Sequence, residues 1–336
     1  MTRITEFWVR SKVWLLSVLA GAVLGCIFRL LLDNRFAQSR GDQPTLIMTI
    51  AFLVCVPLAM GYLSVHRYLR ASAPQDVRWY KWLFLPWAAV VLMMLVAIAI
   101  KWEGLVCIIF AGPILLASAL IGGLTARIVW GKLDKRSPGS LSAFALPLLL
   151  LVVEAQIPAP YQVRTVNTEI LIHAPANVVW NNIKSVRAIA PAELTPSWVD
   201  RIGFPSPIAA TLSHEGIGGV RQASFTGGLI FTETVDEWVP VQDLSFTIHA
   251  NTQSIPRTTL DEHATIGGAF FDVLDGSYTL EQRPDGILLH LSSRERLSTH
   301  FNPYAGQWTD AVMRAIQQQI LTVVRNRCES EARAAR

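Results

Sequence analysis

The sequence predicts an α+β domain, a curved antiparallel sheet with a long C-terminal helix, carried behind an all-α transmembrane region of about five helices. Three observations lead there. The chain of 336 residues is 51% hydrophobic and only 16% charged, too apolar for an ordinary soluble protein. Its charge is unevenly divided: residues 1–160 hold 15 Lys and Arg against 7 Asp and Glu, net +8, whereas residues 161–336 hold 14 against 18, net −4. Hydrophobic patterning changes at the same place, from continuous runs before Pro160 to two-residue alternation after it.

Four runs, residues 13–32, 46–65, 82–100 and 104–126, reach the roughly 20 apolar residues that a bilayer core requires. A fifth, 141–157, is short and contains Pro147. It spans if Glu154 and Gln156 reach the interface; otherwise it is re-entrant or interfacial. Lys and Arg in short loops stay cytoplasmic. Eleven lie at the amino terminus (Arg3, Arg10, Lys12), in the second loop (Arg67, Arg70, Arg78, Lys81) and in the fourth (Arg127, Lys132, Lys135, Arg136), against Arg35, Arg40 and Lys101 in the first and third. Five crossings therefore put the amino terminus inside and everything after Pro160 outside; four would leave the second half cytoplasmic. The first run follows basic residues as a signal peptide does, but no small-residue cleavage site follows closely, so it reads as a retained anchor. Ser17, Gly21 and Gly25 repeat small side chains every fourth residue, a pattern for close helix packing within the chain. Arg29 and Glu154 fall near the outer ends of their helices and either pair or snorkel separately. Neither a chain of ionisable residues nor an inverted repeat points to transport.

After Tyr161, strands are expected at 166–173, 209–215, 220–225, 229–239, 244–251, a pair at 258–266 and 270–282, and 287–299. Gly216-Ile217-Gly218-Gly219, residues 240–243, Gly267-Gly268 and Pro284-Asp285-Gly286 supply the turns. Short connections between consecutive strands make the sheet antiparallel. A short helix follows Pro175, where proline suits the first turn. A long one runs over 304–329, with Trp308, Val312, Ala315, Ile316, Ile320, Val323 and Val324 in one apolar stripe and Asp310, Arg314, Gln317, Gln318 and Arg325 elsewhere. The sheet is the partner large enough to bury that stripe.

The stretches "VNTEILIHAPANVVWNNIKSV", "FTGGLIFTETVDEWVPVQDLSFTI" and "GSYTLEQRPDGILLHLSSRERL", with the closing amphipathic helix, resemble the START-like superfamily, also called polyketide cyclase-like or SRPBCC, whose fold is the helix-grip. The resemblance covers residues 166–330. It implies a START-like domain at 161–330, a tail at 331–336, and a place among lipid carriers, ligand receptors, aromatases and cyclases, or ring hydroxylases. The whole chain, including "TTLDEHATIGGAFFDVLDG", is similar to bacterial membrane-anchored members, which implies the inner membrane. Fold alone does not choose among these activities.

A helix gripped by a sheet leaves an elongated site lined by inward-facing alternate residues. Leu229, Phe231, Glu233 and Val235 share one face of their strand, and Ile287, Leu289, Leu291, Ser293, Glu295 and Leu297 one face of the last. Two carboxylates thus land on apolar faces, where each must be neutral, hydrogen-bonded or paired with a cation. The expected ligand contacts are Phe231, Glu233, Tyr278, Leu289, Glu295, Trp308 and Val312, around a hydrophobic small molecule or lipid. The alternative is a cyclase or dehydratase using Glu233, Glu295 or Tyr278 for proton transfer; a third reading is an interaction protein with a filled core. His290, Arg294, Arg296 and His300 read as a solvated outer face. Asp261–His263 with Asp272 and Asp275 matches no metal-ligand spacing, so no metal and no cofactor are expected, and the Rieske partner of a ring hydroxylase is not indicated. The glycine-rich turn at 216–219 precedes no helix and reads as a hairpin, not a phosphate loop. Cys328 is the one cysteine of the second half, so no disulfide forms within it and cysteine usage fixes no redox compartment. Nucleic acid is an unsuitable partner for an acidic globular half. The sequence does not specify an oligomeric state.

Overall fold

The computed structural model describes residues 3–32, 48–130, 139–251 and 266–335, in two compact units, Met1–Ala159 and Pro160–Arg336.

The first unit holds α1 (Arg3–Leu31), α2 (Val56–Ala71), α3 (Trp79–Ala99), α4 (Leu105–Trp130) and α5 (Gly139–Glu154). Among the described residues four stretches are long and apolar enough to cross a membrane: Trp8–Leu31, Ala51–Ala71, Trp79–Ala99 and Leu105–Trp130. The second begins with a π-helical turn, Ala51–Cys55. Pro57 has no amide hydrogen and its ring crowds the carbonyl four residues back, and the wider turn relieves this. The stripe of Ser17, Gly21 and Gly25 packs inside the unit: a Cβ on Gly21 would meet Ser64 and Met60, and one on Gly25 would meet Met60 and Met93. α2 and α4 touch backbone to backbone, since a Cβ on Gly61 would lie 1.9 Å from the Ala119 carbonyl oxygen and one on Gly122 1.9 Å from that of Leu58.

Arg29 does not take Glu154 as its partner. Its Nε donates to Glu103 at 2.7 Å and its Nη2 to the Trp102 carbonyl at 3.0 Å, between α3 and α4. The Glu154 carboxylate instead accepts from the Ile50 and Ala51 amides at 2.7 and 2.8 Å. Open amides at a helix start suit an anion as well as a guanidinium does, and residue spacing cannot distinguish the two.

The second unit is an antiparallel sheet of seven strands in the order β1-β7-β6-β5-β4-β3-β2, with helices at one face. The strands are β1 (Gln162–Ile172), β2 (Pro207–Leu212), β3 (Val220–Phe225), β4 (Ile230–Val239), β5 (Asp243–Asn251), β6 (Phe271–Arg283) and β7 (Gly286–Leu297). Between β1 and β2 lie α6 (Ala176–Lys184) and the short α7 (Trp198–Arg201); α8 (Asn302–Ala334) closes the chain. This is the helix-grip architecture that the START-like resemblance implies. The turn at 216–219 joins antiparallel β2 and β3, with the Gly218 amide donating to the Val235 carbonyl at 2.8 Å. The expected strand at 258–266 falls mostly outside the described residues; Ile266 makes an isolated bridge to Phe271.

α8 packs chiefly on β1 and α6, and Leu321 and Val324 are buried there. The core joins them to Ile172, Trp180, Ile183, Phe246 and Leu289. The buried stripe is rotated from the expected one. Gln317, expected outside it, is 2% exposed, whereas Trp308, Ala315, Ile316 and Ile320 are partly exposed. The Gln317 amide donates to the Val166 carbonyl and the Ser293 hydroxyl and accepts from Thr168. Fully satisfied amides can be buried at little cost, which hydropathy periodicity does not register.

Candidate functional site

The inner face of the sheet carries two polar clusters, one buried throughout and one in which the acid alone is buried, each built on directly opposed strand positions. In the first, Arg221 of β3 and Glu233 of β4 are paired in register. The hairpin between these strands is closed by the Phe225 amide on the Leu229 carbonyl, so counting back four residues on each side sets the cation opposite the acid. Arg221 Nη1 donates to Glu233 Oε2, and both side chains are buried, at 5% and 7% exposure. The guanidinium lies 5.3 Å from the centre of the Phe246 ring. Tyr278, which is buried on β6, presents its hydroxyl to the same guanidinium. Burial disfavours the charged Arg221, but Glu233 and Tyr278 more than offset it and hold its pKa above the ordinary value. Burial raises the Glu233 carboxyl, against the pull of Arg221. Arg221 Nε remains without a hydrogen-bond partner.

In the second cluster, Arg164 of β1 is opposed to Glu295 of β7. Arg164 is drawn away from Glu295 by α8: it grips Asp310 through two bonds, of 2.8 and 2.6 Å. The close approach is possible because position 306 is glycine, where a Cβ would lie 2.7 Å from the guanidinium carbon. Glu295 is 0% exposed, and neither carboxyl oxygen has a partner. The Thr309 hydroxyl lies near enough to favour the anion, yet its bond goes to the Gly306 carbonyl at 3.2 Å. Burial pushes the Glu295 carboxyl up to about 7, with Asp310 adding to the rise and Thr309 and Arg164 opposing it.

Both inward-facing acids expected from alternation are therefore buried. Tyr278 joins Glu233 through Arg221. Phe231 is partly buried, edge-on to Phe225 at 5.3 Å. Trp308 is partly exposed beside Tyr304, and Val312 is buried on the same helix. Leu289 stands apart, in the core with Ile172 and Leu321, six residues and about 20 Å along β7 from Glu295. Arg221 and Arg164 were missed. Alternation in "VRQASF" places Arg221 on the face of Ala223 and Phe225, so the signal was present; Arg164 precedes the expected start of its strand.

The outer face is more paired than its expected solvation suggests. His290 bridges Glu169 and Glu281 at 3.3 and 3.2 Å, and Arg294 binds Asp275. Arg296 donates to the Gly268 carbonyl. Asp261–His263 lies outside the described residues. Among the described residues no three His, Cys, Asp or Glu side chains are grouped to hold a metal ion.

No family model matches the chain, and no curated protein does. Solved structures similar to it align with about half of its length. DynU16, a protein of the dynemicin biosynthetic locus, is 16% identical with a TM-score of 0.31, over 50% of this chain and 48% of that one. CV1439 from Chromobacterium violaceum is 16% identical with a TM-score of 0.31, over 49% and 96%. The Aha1 dimer from Colwellia psychrerythraea is 13% identical with a TM-score of 0.29, also over 49% and 96%.

Proposed function

We propose that the protein is a membrane-anchored binding protein, holding a hydrophobic small molecule or lipid between the inner sheet face and α8. The observation that carries this reading is polar groups buried in an apolar setting with bonding capacity left over: both oxygens of Glu295 and the Nε of Arg221. Such groups are costly unless something bonds them, and an amphiphilic ligand supplies both apolar contact and the missing bonds. Phe231, Tyr278, Trp308 and Val312 are its apolar contacts. A tether of membrane helices keeps the domain beside a source of lipid. Native mass spectrometry of the full chain released from membranes should find a small apolar molecule bound; protein that is uniformly ligand-free counts against the proposal.

A cyclase- or dehydratase-type enzyme is the second reading, favoured by one observation. Glu295 has a pKa near neutrality, which suits a group that both takes and gives a proton. Turnover lost in Glu295→Gln with binding retained would select it.

We propose that α5 crosses the membrane and so sets the domain's side of it. Its last residue, Glu154, bonds the start of the helix that becomes α2, and Arg29 near the end of α1 bonds the α3–α4 connection. On this reading α5, which packs against α2, is a fifth crossing. Its 16 residues give about 24 Å of helix. With the basic loops inside, the amino terminus is cytoplasmic and the second unit extracytoplasmic.

A further inference from the structure

The two polar clusters occupy one row across the sheet. Arg164 opposes Glu295 on β7, and Glu295 opposes Val273 on β6. On the other side Arg221 opposes Glu233 on β4, and Glu233 opposes Ile248 on β5. The bulge between Val273 and Asp275 brings Val273 level with Ile248, because Thr247 pairs with Asp275. The row therefore reads cation, acid, apolar, apolar, acid, cation, and Val273 and Ile248 are both buried. Three steps of about 4.8 Å separate β7 from β4, roughly 14 Å between the two acids' backbones before curvature shortens it.

With Glu295 protonated, each end is charge-balanced from within. Arg221 offsets Glu233, and Arg164 offsets Asp310. A charged ligand group would add an uncompensated charge to the buried Arg221–Glu233 end, which removal from water disfavours. The leftover bonding capacity differs between the ends. Arg221 Nε–H is a donor lacking an acceptor, and the Glu295 oxygens lack donors. With its pKa near 7, Glu295 is present both as carboxyl and as carboxylate around neutrality; a hydroxyl, donor and acceptor at once, matches either form.

Resting on the binding reading above, we infer that the ligand is an uncharged two-ended molecule: an apolar body crossing Val273 and Ile248, with a carbonyl-type acceptor at Arg221 and a hydroxyl at Glu295. The test offers the full chain in nanodiscs an equimolar mixture of 12-hydroxydodecan-2-one, dodecan-2-one and dodecan-1-ol, with retained probe read by native mass spectrometry. The keto-alcohol should be retained about tenfold over either single-ended probe, the worth of one hydrogen bond to a buried group. Glu295→Leu should lower it to the level of dodecan-2-one, and Glu295→Gln should keep much of the preference. Replacing Arg221 and Glu233 together by Met should lower it to the level of dodecan-1-ol. Equal retention of all three by the unaltered chain overturns the two-ended ligand and leaves the binding reading standing. Retention of none overturns both, and the ranking in the unaltered chain needs no variant to fold.

Discussion

Arg221 and Glu233 illustrate what one buried pair demands. Removing one partner strands a charge, whereas removing both leaves an apolar surface of similar volume. Arg221→Met alone is expected to destabilise the second unit by about 3–5 kcal/mol, and the double change with Glu233→Met by much less; denaturant unfolding of the four proteins closes the cycle, and additive effects would refute the coupling. Glu295 makes a pH-dependent contribution of the opposite kind. Its folded-state pKa, about 7, lies above the 4.5 of a free glutamate, so the folded form holds the proton more tightly. The resulting stabilisation is present below pH 4.5 and is lost as the pH rises to 7, by about 2–3 kcal/mol. Glu295→Gln should flatten stability between pH 5 and 8; an unchanged slope in thermal unfolding would show that Glu295 is not its source. Both acids were legible as inward-facing from two-residue alternation. Their fates were not, because whether a buried acid is paired or orphaned depends on which cation the neighbouring strand or helix brings. β3 delivers Arg221 to Glu233, while α8 takes Arg164 from Glu295.

At the scale of elements, hydrophobic period locates α8 but does not fix its rotation. Trp308, Ile316 and Ile320 outweigh Gln317 on any hydropathy scale, yet Gln317 finds Val166, Thr168 and Ser293 waiting on the sheet. Alternation starts β1 four residues late, because Gln162 and Arg164 look like linker until α8 supplies Asp310. In the membrane unit the packing of α2 on α4 depends on having no side chain at two positions. Gly61→Val is expected to cost about 3 kcal/mol or more, since the new Cβ meets a backbone oxygen that cannot swing aside. Gly112→Ala should be tolerated or slightly stabilising, because its Cβ would meet the flexible Met94 methyl at 3.7 Å. Thermal unfolding in detergent compares the two, and equal behaviour would argue against a backbone contact between α2 and α4.

For the whole molecule, the side of the membrane taken by the second unit turns on the shortest apolar helix. A C-terminal reporter that is active only outside the cytoplasm should be active on the full chain and silent when α5 is deleted; silence on both would mean four crossings. Composition alone separated the two halves, because charge asymmetry and the change from continuous to alternating hydrophobicity are local properties of the chain. The fold class of the second half was legible for the same reason: strand period, turn residues and one amphipathic helix are written within short windows. Only the tertiary structure decided that Arg29 goes to Glu103, that Glu154 caps the second helix, and that Arg221 and Arg164 flank two acids in a single row. Those choices are made between residues tens of positions apart, where burial strips away water and the nearest complementary group wins.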